Sequence, residues 1–263
     1  MSQIYENSKN WLTIDIEEIT DSNFSLRWSS NPKLEYERLI DNWLQLCDEL
    51  GVKSTCFVLG NFAKNNKNVI QRINSLGHEI ASHGMNHKLV YSESLSKWEN
   101  SIRESKDILE GIIGREIKGY RAASWSMPFE KKYYDILAKN GFSYSSSYFP
   151  FKTYMYGNSV NKIDPFTIYC DSGNVLEIPI PKYYIPFSGG FYLRVIPSII
   201  QKYCLKKINR NNHKAVVYIH PYELLNDCSG IEYFFSKARL NLDFFLSFFS
   251  TSKPINKIKK IYK

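Results

Sequence analysis

The sequence predicts a single α/β domain built as a closed or nearly closed β/α barrel, and three observations carry that expectation. Short β-branched and aromatic runs alternate with helical-period segments along all 263 residues, about seven units in all, a rhythm that implies a mostly parallel sheet covered by helices. Reactive polar residues fall at or just past the C-terminal ends of those runs, the rim on which β/α barrels build their sites. No repeat or low-complexity linker divides the chain, so residues 1–263 form one unit.

The predicted strands are WLTIDIE (11–17), STCFVLG (54–60), EIASHG (79–84), IKGYRAAS (117–124), FSYSSS (142–147), VLEIPI (175–180) and AVVYIH (215–220). Between them LEYERLIDNWLQLCDELG places Leu39, Trp43, Leu46 and Leu50 on one helical face, with Gly51 suited to the C-cap. Residues 67–76, 94–111, 130–140 and 197–210 follow the same period. The stretch 148–192, rich in Tyr, Phe, Pro and Gly, is expected to be a lid-like insertion over one rim.

Composition narrows the function classes. The chain is 43% apolar and 23% charged, enough for a sizeable core. No window approaches a membrane span, and MSQIYENSKN has no apolar leader, so a cytoplasmic location is expected. Five scattered cysteines without C-x-x-C argue against a disulfide framework or a thiolate zinc cluster. The net charge of +8 is diffuse except near 252–263, where SKPINKIKKIYK follows the apolar run IEYFFSKARLNLDFFLSFF. That basic tail is read as solvated, or as a means of peripheral association with an anionic membrane surface. Nothing resembles a nucleic-acid module.

His83 and His87 stand four apart in EIASHGMNHKLV, a spacing at which two imidazoles can face one ion from a helical turn or loop, with Gly84 letting the chain turn after the strand. Asp15 and Glu17 alternate onto one side of the first strand. One of them can bind a metal while the other stays a base, and Glu18 is close enough to compete. Two histidines and a carboxylate suit hydrolytic Zn2+ or an Fe2+ oxygenase. His220, ending the last strand, favours hydrolysis, because cleaving an amide needs an acid for the leaving amine. His78 reads as structural and His213 as exposed. Of the aromatic residues near the rim, Trp125, Tyr148, Phe149, Tyr183 and Tyr184 can stack on substrate, although packing suits most of them, and Tyr222 is the candidate for a pocket wall; Trp125 and Tyr222 form the expected substrate-binding pair.

With these residues assembled, the chain resembles the polysaccharide deacetylases of carbohydrate esterase family 4, specifically the branch with a D-V-E-D first motif found among exopolysaccharide and surface-glycan genes. LTIDIEE, GHEIASHGMNH, GYRAASWSM, LEIPI with GGFYLRVIP, and YIHPYE match its motifs in order. The resemblance implies a distorted (β/α)7 barrel and metal-dependent removal of acetyl groups from an N-acetylated sugar, oligosaccharide or glycan precursor. It implies Asp15 as base, Arg121 as the partner orienting it, His220 as acid, and Glu17, His83 and His87 as ligands to one divalent ion, Zn2+ with Co2+ or Ni2+ as alternatives. Ala123 stands where the branch has proline and Ser145 where it has aspartate. Hydrolysis of another linear or cyclic amide, or non-catalytic glycan binding, are the competing expectations.

Overall fold

The computed structural model describes residues 2–23, 35–153, 156–227 and 254–262. In chain order the elements are α1 (Gln3–Asn7), β1 (Trp11–Ile16), α2 (Tyr36–Glu49), β2 (Thr55–Val58), α3 (Gly60–Asn65), α4 (Lys67–Ser75), β3 (Glu79–Ser82), α5 (Leu95–Ile113), β4 (Gly119–Tyr120), α6 (Lys131–Lys139), β5 (Tyr144–Ser145), β6 (Phe166–Cys170), β7 (Gly173–Glu177), α7 (Gly190–Val195), α8 (Ser198–Arg210), β8 (Val216–Ile219) and α9 (Pro254–Tyr262). One curled sheet runs β6-β7-β5-β4-β3-β2-β1-β8. Every neighbouring pair is parallel except β6 with β7, so all seven predicted strands lie side by side as a distorted (β/α)7 barrel.

Strand alternation sorts the side chains into two layers. Leu12, Ile14 and Ile16 of β1, Cys56 and Val58 of β2, and Val217 and Ile219 of β8 pack outward with the helices, among them Leu39, Ile40 and Trp43 of α2. Trp11, Phe57, Ala81, Tyr144, Val216 and Tyr218 fill the barrel interior. Because the period is two, the residues continuing those interior columns at the strand ends are Asp15, Glu17, His83, Arg121 and His220. The segment after β7 returns along β8 through a parallel bridge between Gly189 and Tyr218. Glycine is required there, since a Cβ would lie 2.1 Å from the Tyr218 ring.

Within 148–192 the predicted strand around 175–180 appears as β7, and β6, which was not predicted, pairs with it as an antiparallel hairpin across Tyr169↔Asn174. One expectation is corrected, because the basic tail is folded: Pro254 opens α9, whose Ile258 and Ile261 are buried against α8 and α2. Lys257 donates to the carbonyls of Leu193 and Ile196 at 3.1 Å each, and also to that of Arg194, all at the end of α7, and Lys259 pairs with Glu49. These two lysines satisfy orphan helix-end carbonyls and a carboxylate within the chain. The apolar run 231–249 lies outside the described residues. No helix among the described residues is long and apolar enough to cross a membrane, and Cys47, Cys56, Cys170 and Cys204 are free thiols.

Candidate active site

At the C-terminal rim the structure brings Glu17, His83 and His87 together, all three buried, with ligand atoms within 4.8 Å of one another. Glu17 Oε2 lies 2.7 Å from His87 Nε2 and 3.7 Å from His83 Nε2. The histidine spacing comes from a loop, not a helix: β3 ends at Ser82, Gly84 takes φ +82°, and His87 itself sits at φ +50°. A non-glycine residue in that region is sustained by its surroundings and is commonest at functional sites. Here Asn23 Nδ2 lies 3.1 Å from His87 Nδ1 and within bonding distance of Ser124 Oγ.

The donor set fits a divalent cation. His83 Nδ1 lies 2.8 Å from the Arg121 carbonyl, which can only accept, so Nδ1 carries the proton and Nε2 turns its lone pair toward Glu17. Glu17 Oε2 is buried without a partner in hydrogen-bond geometry, close to two imidazole nitrogens. Burial pushes the Glu17 carboxyl up, but the neighbouring His87 and His83 imidazoles outweigh it and hold it below the usual carboxylate range. Glu18, the competing carboxylate, is half-exposed and caps the short turn Ile19–Asp21.

On one flank, Arg121 Nη1 donates to Asp15 Oδ1 at 2.6 Å and to Thr13 Oγ1 at 3.0 Å, while Nη2 reaches Ser146 Oγ at 3.1 Å. The guanidinium rests 4.0 Å from the Phe57 ring centre. This ion pair is fully buried, so each charge depends on the other for its solvation. On the other flank, Glu223 Oε2 lies 2.9 Å from His220 Nδ1 and accepts from the His220 backbone N–H at 3.0 Å, and its Oε1 meets Arg194 Nε at 2.8 Å. His220 Nε2 is left pointing toward Glu17 Oε1, 3.9 Å away. Burial pushes His220 down, but the bond to Glu223 and the charge of Glu17 raise it to about 9, so the imidazole is a proton donor at neutral pH.

Glu223 and Arg194 were not singled out from the sequence. Glu223 had a local signal, a carboxylate three residues after His220 in HPYE; Arg194, 29 residues away, lay within the quoted segment GGFYLRVIP but had no spacing that ties it to His220. Both candidate substrate-binding aromatic residues are buried. Tyr222 is buried and stacks on His220 itself, ring centres 5.0 Å apart and planes 8° from parallel. Trp125 is 7% exposed and packs among Tyr218, Phe149 and Tyr156 at 4.6–5.7 Å. His213, expected to be exposed, is half-buried and pairs with Asp164. His78 is structural as expected, its Nδ1 accepting from the Ser54 N–H at 3.1 Å.

The two departures also have a physical setting. Ala123 opens the 3-10 turn that leads into Ser124 and Trp125, both at positive φ. Ser145 is paired in register with Glu177, a buried carboxylate that accepts from the backbone N–H groups of Ser147 and Tyr148 at 2.7 and 2.9 Å and from Tyr134 Oη at 3.0 Å. A carboxylate is therefore present at this level of the sheet, on β7 instead of β5.

Residues 28–145 match the family described as polysaccharide deacetylase, and residues 146–246 match a domain of unknown function, DUF3473. A peptidoglycan deacetylase from Helicobacter pylori is 26% identical over 108 residues, 41% of this chain and 36% of that protein; the chain spans about a third of the length of the curated relatives it matches. Among solved structures, a family 4 carbohydrate esterase from Streptomyces lividans in complex with acetate superposes with a TM-score of 0.53, 11% identity and coverage of 97% of this chain and 86% of that one. A mutant of a Bacillus anthracis family 4 pseudoenzyme with restored enzymatic activity superposes with a TM-score of 0.51, 14% identity and coverage of 97% and 63%. The two matched regions meet between Ser145 and Ser146, inside one continuous sheet. Residues 28–145 are thus similar to the polysaccharide deacetylase family, residues 146–246 match DUF3473, and the described residues share the fold of the family 4 carbohydrate esterase structures.

Proposed function

We propose that the protein hydrolyses the N-acetyl group of an amino sugar, in a surface polysaccharide or in its precursor, releasing acetate and a free amine. The observation that carries this reading is the convergence at one rim of a Glu17–His83–His87 ligand set, a buried Asp15–Arg121 pair and a His220 held by Glu223. Amide hydrolysis needs a polarised carbonyl, a base for water and an acid for nitrogen, and these groups supply each in a separate place.

Glu17, His83 and His87 would hold one divalent cation, Zn2+ first and Co2+ or Ni2+ as alternatives, which when bound polarises the acetyl carbonyl and acidifies water. Asp15 takes the proton of the attacking water. Arg121 fixes Asp15 in direction, with Thr13 and Ser146 fixing Arg121 in turn. As the carbon–nitrogen bond breaks, His220 delivers the proton from Nε2 to the sugar nitrogen. Glu223 accepts from Nδ1, which sets the tautomer and the direction of the ring, and Tyr222 supports its face. Water thereby adds its hydroxyl to the acyl carbon and its proton is balanced by the one His220 gives up.

The test is elemental analysis of purified protein, wild type against His83→Ala with His87→Ala, together with acetate release from a panel of N-acetylated sugars. About one equivalent of metal per chain, lost in the double variant along with acetate release, supports the reading. Wild type that takes up no metal on reconstitution would replace it with a non-catalytic glycan-binding role. Metal uptake with acetate release from none of the sugars, but turnover of other amides, would move the substrate class.

A further inference from the structure

The described surface carries an apolar patch that the deacetylase reading does not use. In α8 one stripe, Gln201, Cys204, Leu205 and Ile208, is buried, whereas Ile199 is 77% exposed, Tyr203 53% and Ile200 43%. Tyr203 continues the patch across to the loop after β7, where its ring lies 6.0 Å from that of Tyr183. Beside it Tyr184 is 83% exposed and sits at φ +59°, a conformation unfavourable for tyrosine that presents its ring outward.

The position of the patch follows from the direction of α8. Its first end follows Arg194, which reaches Glu223 in the site. Its last end, at Asn209, bonds Asn10 just before β1. Ile199, Ile200 and Tyr203 therefore lie at the end of the barrel that carries His220, flanking the catalytic rim.

Lysines accompany the apolar residues at helical spacing. Lys202 and Lys206 stand three and seven residues after Ile199, on the same stripe, and both are exposed. Isoleucine and tyrosine rimmed by lysine suit the boundary of a bilayer with anionic headgroups. We infer that this face of α8, with Tyr184, docks the catalytic rim onto an anionic membrane surface. Docking there is independent of the chemistry at the rim, although it would bring a lipid-carried glycan to the site. It also replaces the basic C-terminal tail as the contact, since that tail is packed as α9.

The experiment is co-sedimentation of the full chain with vesicles of phosphatidylglycerol and phosphatidylcholine, and with phosphatidylcholine alone. Three proteins are compared: wild type, Ile199→Ser with Tyr203→Ser, and Lys202→Glu with Lys206→Glu, each checked for unchanged thermal unfolding. Wild type is expected to bind the anionic vesicles, more weakly as salt rises, and each double variant to lose about tenfold or more in partitioning. The charge-reversed variant should lose mainly the salt-sensitive part. Equal binding by all three, or no binding by wild type, overturns the inference. So does loss in the serine variant of self-association or of binding to a soluble N-acetyl oligosaccharide, with vesicle binding unchanged, which would assign the patch to a second copy or to sugar.

Discussion

Glu17 and Glu177 are both buried carboxylates, 1% and 0% exposed, on opposite faces of the same curled sheet. Glu177 faces the helix layer, and donors from two backbone amides and Tyr134 surround it; burial leaves its carboxyl above the ordinary range. Glu17 faces the barrel interior, has an oxygen without a hydrogen-bond partner, and is held below that range by imidazoles. Burial alone therefore does not mark a functional carboxylate. What separates the two is whether neighbouring groups already complete its coordination, because a satisfied carboxylate has no lone pair left for a ligand.

The sharpest way to break this contrast is to neutralise Glu17. Glu17→Gln is expected to abolish metal retention and lower acetate release by at least about 10³-fold, with thermal unfolding little changed; metal analysis and acetate assay read the two effects. His220→Asn should reduce acetate release by about 10²- to 10⁴-fold while the bound metal stays, which separates the acid from the ligands. Glu223→Gln should cost about 10- to 100-fold, again with metal retained, since it removes the charge that orients His220 without touching the ligand set.

Glu177 should behave in the opposite way. Glu177→Ala leaves the Ser147 and Tyr148 amides and the Tyr134 hydroxyl without their acceptor, so chemical denaturation should show a loss of about 2–4 kcal/mol. The folded fraction should keep its metal. A variant that kept full stability but lost metal would erase the distinction between the two carboxylates.

The smallest expected effect is at His78, at the opposite end of β3. Burial lowers its pKa to about 4, below the ordinary histidine value, so between about pH 6.5 and pH 4 the unfolded chain binds the proton that the native state refuses. Its contribution to stability is complete above about pH 6.5 and is lost as pH falls through that window, by about 1–2 kcal/mol once partial solvent screening is allowed for. His78→Gln should flatten that part of the stability profile in denaturation experiments run across it.

The sheet and the inner ring of the site were legible in the sequence for the same reason. Apolar and polar residues alternate along WLTIDIE and EIASHG, and a period of two places Asp15, Glu17 and His83 on the face opposite to Leu12, Ile14 and Ile80 wherever the helices pack. The helices around 36–49 and 95–113 were equally readable, because their apolar stripes and end-glycines act within a few turns. Alternation favoured Glu17 over Glu18, but β1 ends at Ile16, so only the folded chain shows that the alternation continues to Glu17.

By itself, then, the sequence determined the strand and helix rhythm, the inward column of reactive residues and the two histidines, all of which depend on local periodicity. Only the tertiary structure decided which partners complete them. Arg194 meets Glu223 across 29 residues because the chain after β7 wraps back onto β8. Glu177 takes the level of Ser145 because β7 inserts beside β5. The basic end of the chain became a packed helix because α7, α8 and α2 present apolar surface and orphan carbonyls at the place where Ile258 and Lys257 arrive. These are contacts between residues far apart in the chain, fixed by closure and packing, and no short-range pattern encodes them.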